Sequence, residues 1–304
     1  MQDGSKKAII AAFLANAAIA VAKLVGFFLT GAASMLAEAV HSSADAGNQG
    51  LLFLGGARAR KTATPEHPFG YGRERYFWSF VVALVLFTLG GLFALFEGIE
   101  KLRHPHEIES ATIAFVILTI AIIVEAFSFR TAIIESKHVK GKESWWQFIR
   151  RSKSPELPVV LLEDLGALVG LILAVAGLGM AEITGNPRWD AVGSIAIGSL
   201  LVVIAVILVI EMKGLLIGEA ASPATLASIQ QTMESSDQVR KVIHIKTQHI
   251  GPDELLVGAK LSFDSHLDLP ALAEAINEVE HRVRQAVPAA RVIYIEPDIE
   301  RPAT

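Results

Sequence analysis

Residues 8–31 read AIIAAFLANAAIAVAKLVGFFLTG, and Lys23 is the one charge among them. A run of that length is enough to cross about 30 Å of hydrocarbon, which takes roughly 20 apolar residues. It is too long, and followed by too many runs like it, to be read as a cleaved signal peptide. With its ends drawn at 8–30, it is the first of six such stretches; the others lie at 33–56, 76–101, 111–134, 157–181 and 190–216. Together they predict an α-helical membrane protein with six transmembrane helices. Composition agrees: 52% of the 304 residues are hydrophobic and only 19% are charged, where a soluble domain averages about 25% charged. A formal net charge of −4 is too small and too mixed to point to a nucleic-acid partner. The chain has no Cys, which excludes a disulfide scaffold, thiolate zinc sites and cysteine nucleophiles. A glycine loop for nucleotide is also missing, which argues against ATP-driven pumping.

From about Glu219 the pattern changes. Residues 219–304 alternate amphipathic helices with short Val/Ile-rich runs. They predict a helix at Pro223–Met233, strands at Val239–His249 and Leu255–Phe263, a helix at Leu269–Ala286 and a strand at Arg291–Glu296. VIHIKTQ alternates with period two, and LPALAEAINEVEHRVRQAV carries Leu272, Ile276, Val279 and Val283 on one helical stripe. The expected division is therefore a transport domain at 1–218 and a small α+β domain, metallochaperone-like, at 219–304. Lys and Arg set the orientation. One side holds thirteen: Lys6, Lys7, Arg58, Arg60, Lys61, Arg73, Arg75, Lys137, Lys140, Lys142, Arg150, Arg151 and Lys153. The other holds Lys101, Arg103 and Arg188. Both termini and the tail domain are expected on the cytoplasmic side of a multi-pass protein, with a bacterial inner or plasma membrane as its setting.

A charge at mid-bilayer costs about 2.5–3.5 kcal/mol or more, so such residues need a partner or a function. Within the apolar segments stand Lys23, Glu38, His41, Asp45, Glu97, Glu125, Glu163, Asp164 and Glu211. Lys23 is placed to snorkel to the outer interface, and Glu38, Glu97 and Glu125 to pair with loop Lys or Arg. Acids outnumber bases, so a cation from solution, metal or proton, is the missing partner. His41 and Asp45 are four apart and share a helical face, a spacing that lets two donors grip one ion. Gln49 continues that face and Asn48 lies beside it. Asp45 lies about 18 Å and Asp164 about 20 Å from the outside at 1.5 Å per residue, so the two carboxylates share a level. Glu163 and Asp164 point about 100° apart; Asp164 is read as the ligand, Glu163 as an outer or proton-carrying group. His67, in the Pro/Gly-rich loop TATPEHPFGYGRERY, is a lesser metal candidate. The glycines Gly47, Gly90, Gly91, Gly166, Gly193 and Gly198 are read as sites of close helix approach.

The stretches TGAASMLAEAVHSSADAGNQG, HPFGYGRERYFW, LFEGIEKLRHP and DAVGSIAIG, in this order, resemble the cation diffusion facilitator family over essentially the whole chain. SPELPVVLLEDLGALVG and ITGNPRWDAVGS are similar to its zinc-transporter-nine branch. The resemblance implies a homodimer that exports a cytosolic divalent metal, Zn²⁺ first, in exchange for protons, with no tightly bound cofactor. It implies ligands at His41, Asp45 and Asp164, with Val160 at the fourth position, where it cannot ligate. Glu163, Gln49, Asn48 or water then completes the site. A second family site falls on Thr64, His67 and Tyr71. In the tail His244 matches a bridging-metal position whose companions fall on Tyr294 and Glu296, so metal binding there is expected to be weak or absent. The alternatives are a transporter selective for Mn²⁺, Fe²⁺ or Co²⁺, and a non-transporting membrane metal sensor or scaffold. An organic-cation antiporter would need an aromatic-lined cavity, and aromatics are only 7% of the chain.

Overall fold

A computed structural model describes residues 3–105 and 111–299, with side chains from Ala17 onward. The side chains of Lys6 and Lys7 lie outside the described residues. The helices are α1 (Asp3–Thr30), α2 (Ala33–Ala59), α3 (Glu74–Arg103), α4 (Ala111–Lys140), α5 (Trp145–Arg151), α6 (Glu156–Thr184) and α7 (Arg188–Ile217). Then follow α8 (Pro223–Glu234), β1 (Val239–Gly251), β2 (Glu254–Phe263), α9 (Leu269–Ala286) and β3 (Val292–Pro297). The chain divides into two compact units, Met1–Ala57 with Phe77–Lys213, and Arg58–Tyr76 with Gly214–Thr304.

Among the described residues of the first unit, four helices are long and apolar enough to cross a membrane: α3, α4, α6 and α7. Six are expected from the sequence, and α1 and α2 are not among these four. The described apolar part of α1 is Ala17–Thr30, and α2 carries His41, Ser42, Ser43, Asp45, Asn48 and Gln49 through its middle. Large apolar side chains such as Phe28, Phe127 and Ile210 face outward, more than half exposed, as a lipid-facing surface would have them. Inside, Met35, Leu86, Leu118, Leu171, Leu201 and Leu208 form one core. Of the six glycines read as close-approach sites, five pack tightly: added Cβ atoms would fall 2.7–3.2 Å from Val202, Ile204, Leu95, Leu201 and the backbone opposite. Gly47 is the exception, with nothing within 4 Å; it lines an apolar groove with Leu24, Val40, Leu51 and Leu89.

Three polar details shape this unit. Gly31, at φ +64, turns the chain between α1 and α2, and its carbonyl accepts Lys101 Nζ at 2.7 Å. Asp190, at the start of α7, accepts from Ala33 N at 2.8 Å, from the Ser34 hydroxyl and from Lys101 Nζ at 3.1 Å. It thereby satisfies one of the amide groups, that of Ala33, which the start of a helix leaves open. Within α3, residues Leu86–Leu92 wind as a π-helix, a form that commonly marks functional positions. The short α5 begins with a capping box between Ser144 and Gln147, and its Phe148 packs with Ala132, Leu161, Leu157 and Val160. Val160 is thus seated in an apolar cluster between α4, α5 and α6.

The second unit is a three-stranded sheet in the order β1-β2-β3, with β1/β2 antiparallel and β2/β3 parallel. Its elements match the sequence expectation to within two residues at each end. Ser222 and Asp268 cap α8 and α9, each with Pro in the first turn. Alternate β2 residues Leu255, Val257, Ala259 and Leu261 bury against Ile229, Met233, Val279 and Val283 of the two helices. On the opposite face, the register aligns His244, Lys260 and Glu296 in one row.

Candidate metal site

The face of α2 predicted from spacing is buried. His41 is fully buried and Asp45 is 8% exposed, and His41 Nε2 stands 3.5 Å from Asp45 Oδ2. One turn on, Asn48 Nδ2 donates to Glu163 Oε1 at 2.6 Å, which ties α2 to α6. The Asp45 and Glu163 carboxyl groups also lie within hydrogen-bonding reach of each other. Asp164 turns the other way: its Oδ2 accepts from Ser128 Oγ of α4 at 2.9 Å. The 100° between neighbours therefore divides the two acids, Glu163 toward α2 and Asp164 toward α4. Gln49 is half-buried.

Five buried atoms on this face of α2 have no hydrogen-bond partner: Glu38 Oε1, both ring nitrogens of His41, Asp45 Oδ1 and Asn48 Oδ1. Unpaired buried polar atoms are costly and few in native proteins. Nitrogen, carboxylate and amide oxygen at helical spacing form a donor set suited to a divalent cation such as Zn²⁺. Among the described residues, no three His, Asp or Glu side chains stand close enough to hold one metal ion together. Against His41 lies the π-helical turn of α3; a Cβ on Gly90 would sit 3.6 Å from His41 Nδ1.

Lys23 corrects the sequence reading. It does not snorkel: it is fully buried, and its Nζ donates to Glu38 Oε2 at 3.0 Å and to Ser42 Oγ at 2.6 Å. Glu38 accordingly pairs inside the bundle rather than with a loop cation. Glu125 is also buried, within electrostatic range of Lys23, Glu38 and Asp164. Sequence gave no means of finding the Lys23–Glu38 pair, since nothing local links residues 15 apart on different helices.

The lesser candidates belong to the second unit. His67 is exposed; its Nδ1 meets the Glu66 carbonyl at 2.8 Å and its ring packs edge-on against Tyr71 at 4.6 Å. Those contacts are those of a turn residue. His244 is exposed on the sheet, paired in register with Lys260. Lys260 in turn reaches Glu296 at 2.8 Å and Asp298 at 3.3 Å, and the hydrogen bonds its ammonium donates to these carboxylates hold its pKa above the ordinary lysine value. An ammonium thus occupies the Glu296 carboxylate that neighbours His244 in the row.

A buried, partly unpaired set of polar side chains on a helix inside an apolar bundle is the arrangement found here. Residues 9–217 match the family described as the cation efflux transmembrane domain; the chain belongs to the cation efflux family, the cation diffusion facilitators. It is similar to the "Proton-coupled zinc antiporter SLC30A9, mitochondrial" of Xenopus laevis, 33% identical over 285 residues, covering 91% of this chain and 51% of that protein. Metal tolerance protein C4 of Arabidopsis thaliana is 29% identical over 265 residues, 86% of this chain and 58% of that one. Magnetosome protein MamB of Paramagnetospirillum magneticum is 22% identical over 294 residues, 97% and 94% of the two chains. The chain spans about half the length of the SLC30A9 relatives it matches.

Proposed function

We propose that the chain is a secondary transporter, not an enzyme, which exports a divalent cation, Zn²⁺ foremost, in exchange for protons. His41, Asp45 and Asp164 are the proposed ligands, Asp164 joining the other two as α6 turns against α2, with Glu163, Asn48 or Gln49 supplying a further donor. The five unpaired buried atoms on one face of α2 carry this reading. Membership of the cation efflux family and the name of the SLC30A9 relatives favour it. Metal binding needs neutral imidazole and ionised carboxylate, so loading metal expels protons and reloading protons expels metal. That linkage is all that antiport requires of the site; alternating access supplies the direction.

In this reading α1 and α2 also cross the bilayer, since their 28 and 27 residues span about 40 Å each. Residues 1–218 form the transport domain and 219–304 a cytoplasmic regulatory or dimerisation domain, with both termini cytoplasmic and two chains to the functional unit. The bacterial inner or plasma membrane expected from sequence lacks support from the SLC30A9 relatives, which are named as mitochondrial. A non-transporting metal sensor is the competing reading; it predicts binding without flux. The test is Zn²⁺ uptake into proteoliposomes holding an inside-acid pH gradient. Uptake should cease when the gradient is collapsed and in Asp45→Ala; uptake indifferent to both would sink the proposal.

A further inference from the structure

We infer that Lys23 sets how many carboxylates are open to the metal: its ammonium holds Glu38, which without it joins His41 and Asp45 as a ligand. The inference rests on the metal-transport reading of α2 and concerns affinity at that same site.

Glu38, Ser42, His41 and Asp45 lie along one face of α2 at helical spacing. The Lys23 ammonium touches Glu38 and Ser42, positions i and i+4, at 3.0 and 2.6 Å. It therefore lies along the turn from which His41 projects. Both members of the ion pair are fully buried, so neither is held by solvent. Glu38 spends only one oxygen on Lys23; Oε1 has no partner and points at Gly170 of α6, where a Cβ would come within 2.6 Å. A glycine at that place leaves room for the carboxylate head. Glu38 thus combines the chemistry of a ligand, an acceptor oxygen without a partner, and one restraint: the lysine.

A buried ion pair is weak evidence for stability, because apolar residues of like volume generally serve as well or better. Its presence in a bundle of Leu, Val and Ala calls for another account. A carrier must bind its ion well enough to load and loosely enough to release, and each added carboxylate tightens a site for a divalent cation. Glu38 as a permanent third anionic ligand would hold the metal past the point of release. A tethered single charge competing with a mobile double charge keeps that carboxylate in reserve.

The test uses Zn²⁺ alone, with this chain in proteoliposomes for KM and kcat and in detergent for equilibrium binding. Lys23→Met should lower KM for Zn²⁺ by about tenfold, the lower end of what partners of metal ligands are worth, and lower kcat with it as release slows. Glu38→Gln should raise KM, because the ammonium, freed of its carboxylate, then faces the incoming metal. The double variant Lys23→Met, Glu38→Gln should return KM to within about threefold of the parent. Opposite signs for the two single changes are the signature; a pair that merely braces α1 against α2 shifts both the same way. If Lys23→Met does not fold, the other two variants decide: Glu38→Gln with an unchanged or lowered KM overturns the inference. A parent chain that moves no Zn²⁺, or a His41→Ala chain that moves it equally well, overturns the transport reading instead.

Discussion

Each compact unit contains a lysine that meets carboxylate oxygen at about the same distance. Lys23 and Glu38 stand 3.0 Å apart, both fully buried; Lys260 and Glu296 stand 2.8 Å apart, 31% and 62% exposed. Distance does not separate them, and surroundings do. In water two unit charges at 4 Å attract by about 1 kcal/mol, and at an effective dielectric constant of 20 by about 4 kcal/mol. The buried pair has also paid to leave water, so losing one partner strands the other. The exposed pair has water as a substitute at all times. A lysine–carboxylate contact in this protein is therefore informative about function inside the bundle and nearly uninformative on the sheet.

The comparison can be broken by experiment. The largest effect is expected at the site beside the buried pair: His41→Ala or Asp45→Ala should reduce proton-driven Zn²⁺ uptake to the level of empty liposomes. Next, Lys23→Met should cost on the order of 3–5 kcal/mol of stability, with most of it recovered when Glu38→Gln is added. Denaturation of the purified variants checks this; a double variant no more stable than the single would show that the two side chains are not energetically coupled. Asp190→Ala removes three donors' partner at once and should cost about 2–3 kcal/mol, measured in the same way. The smallest effect belongs to the sheet. Lys260→Met should leave the unfolding midpoint at neutral pH within the scatter of the parent.

The sign of the pH effect at Lys260 follows from its raised pKa. What the folded state gains there is fully present below the ordinary lysine range and fades only as pH rises through the raised value. A parent and a Lys260→Met chain should therefore differ, if at all, only in an alkaline titration, with the parent losing its advantage as pH climbs. A difference that grows toward acid would contradict that account.

Much of this architecture is written in local periodicity. The tail shows it best: period two in VIHIKTQ and a 3.6-residue stripe through Val279 and Val283 gave strands and helix to within two residues, because one covered face is enough to impose a pattern. The long helices of the bundle are legible by apolar length alone, and that signal is weakest for α2, where polar residues stand among the apolar ones. What was not legible depended on rotation and on distance along the chain. Glu163 and Asp164 are neighbours with apolar residues on both sides, so the local pattern does not decide which of them turns toward α2. Lys23 was read from its depth alone, and its partner sits on another helix. The π-helical Leu86–Leu92 carried no signal beyond Gly90-Gly91. By contrast α5 could have been found from Ser144 and Gln147, whose three-residue spacing is a capping box in plain view.

The Asp190 cluster has a mechanical consequence. By clasping Ala33, Ser34 and Lys101 together, it fixes the first turn of α2 as a fulcrum. Displacement along a rigid rod grows with distance from its pivot. His41 lies about 12 Å from Ala33 and Ala59 about 39 Å, so a swing of about 10° carries them about 2 Å and 7 Å respectively. The proposed ligands thus lie on the shorter arm of that lever. A rigid swing about the first turn would carry the far end of α2 about three times as far as His41.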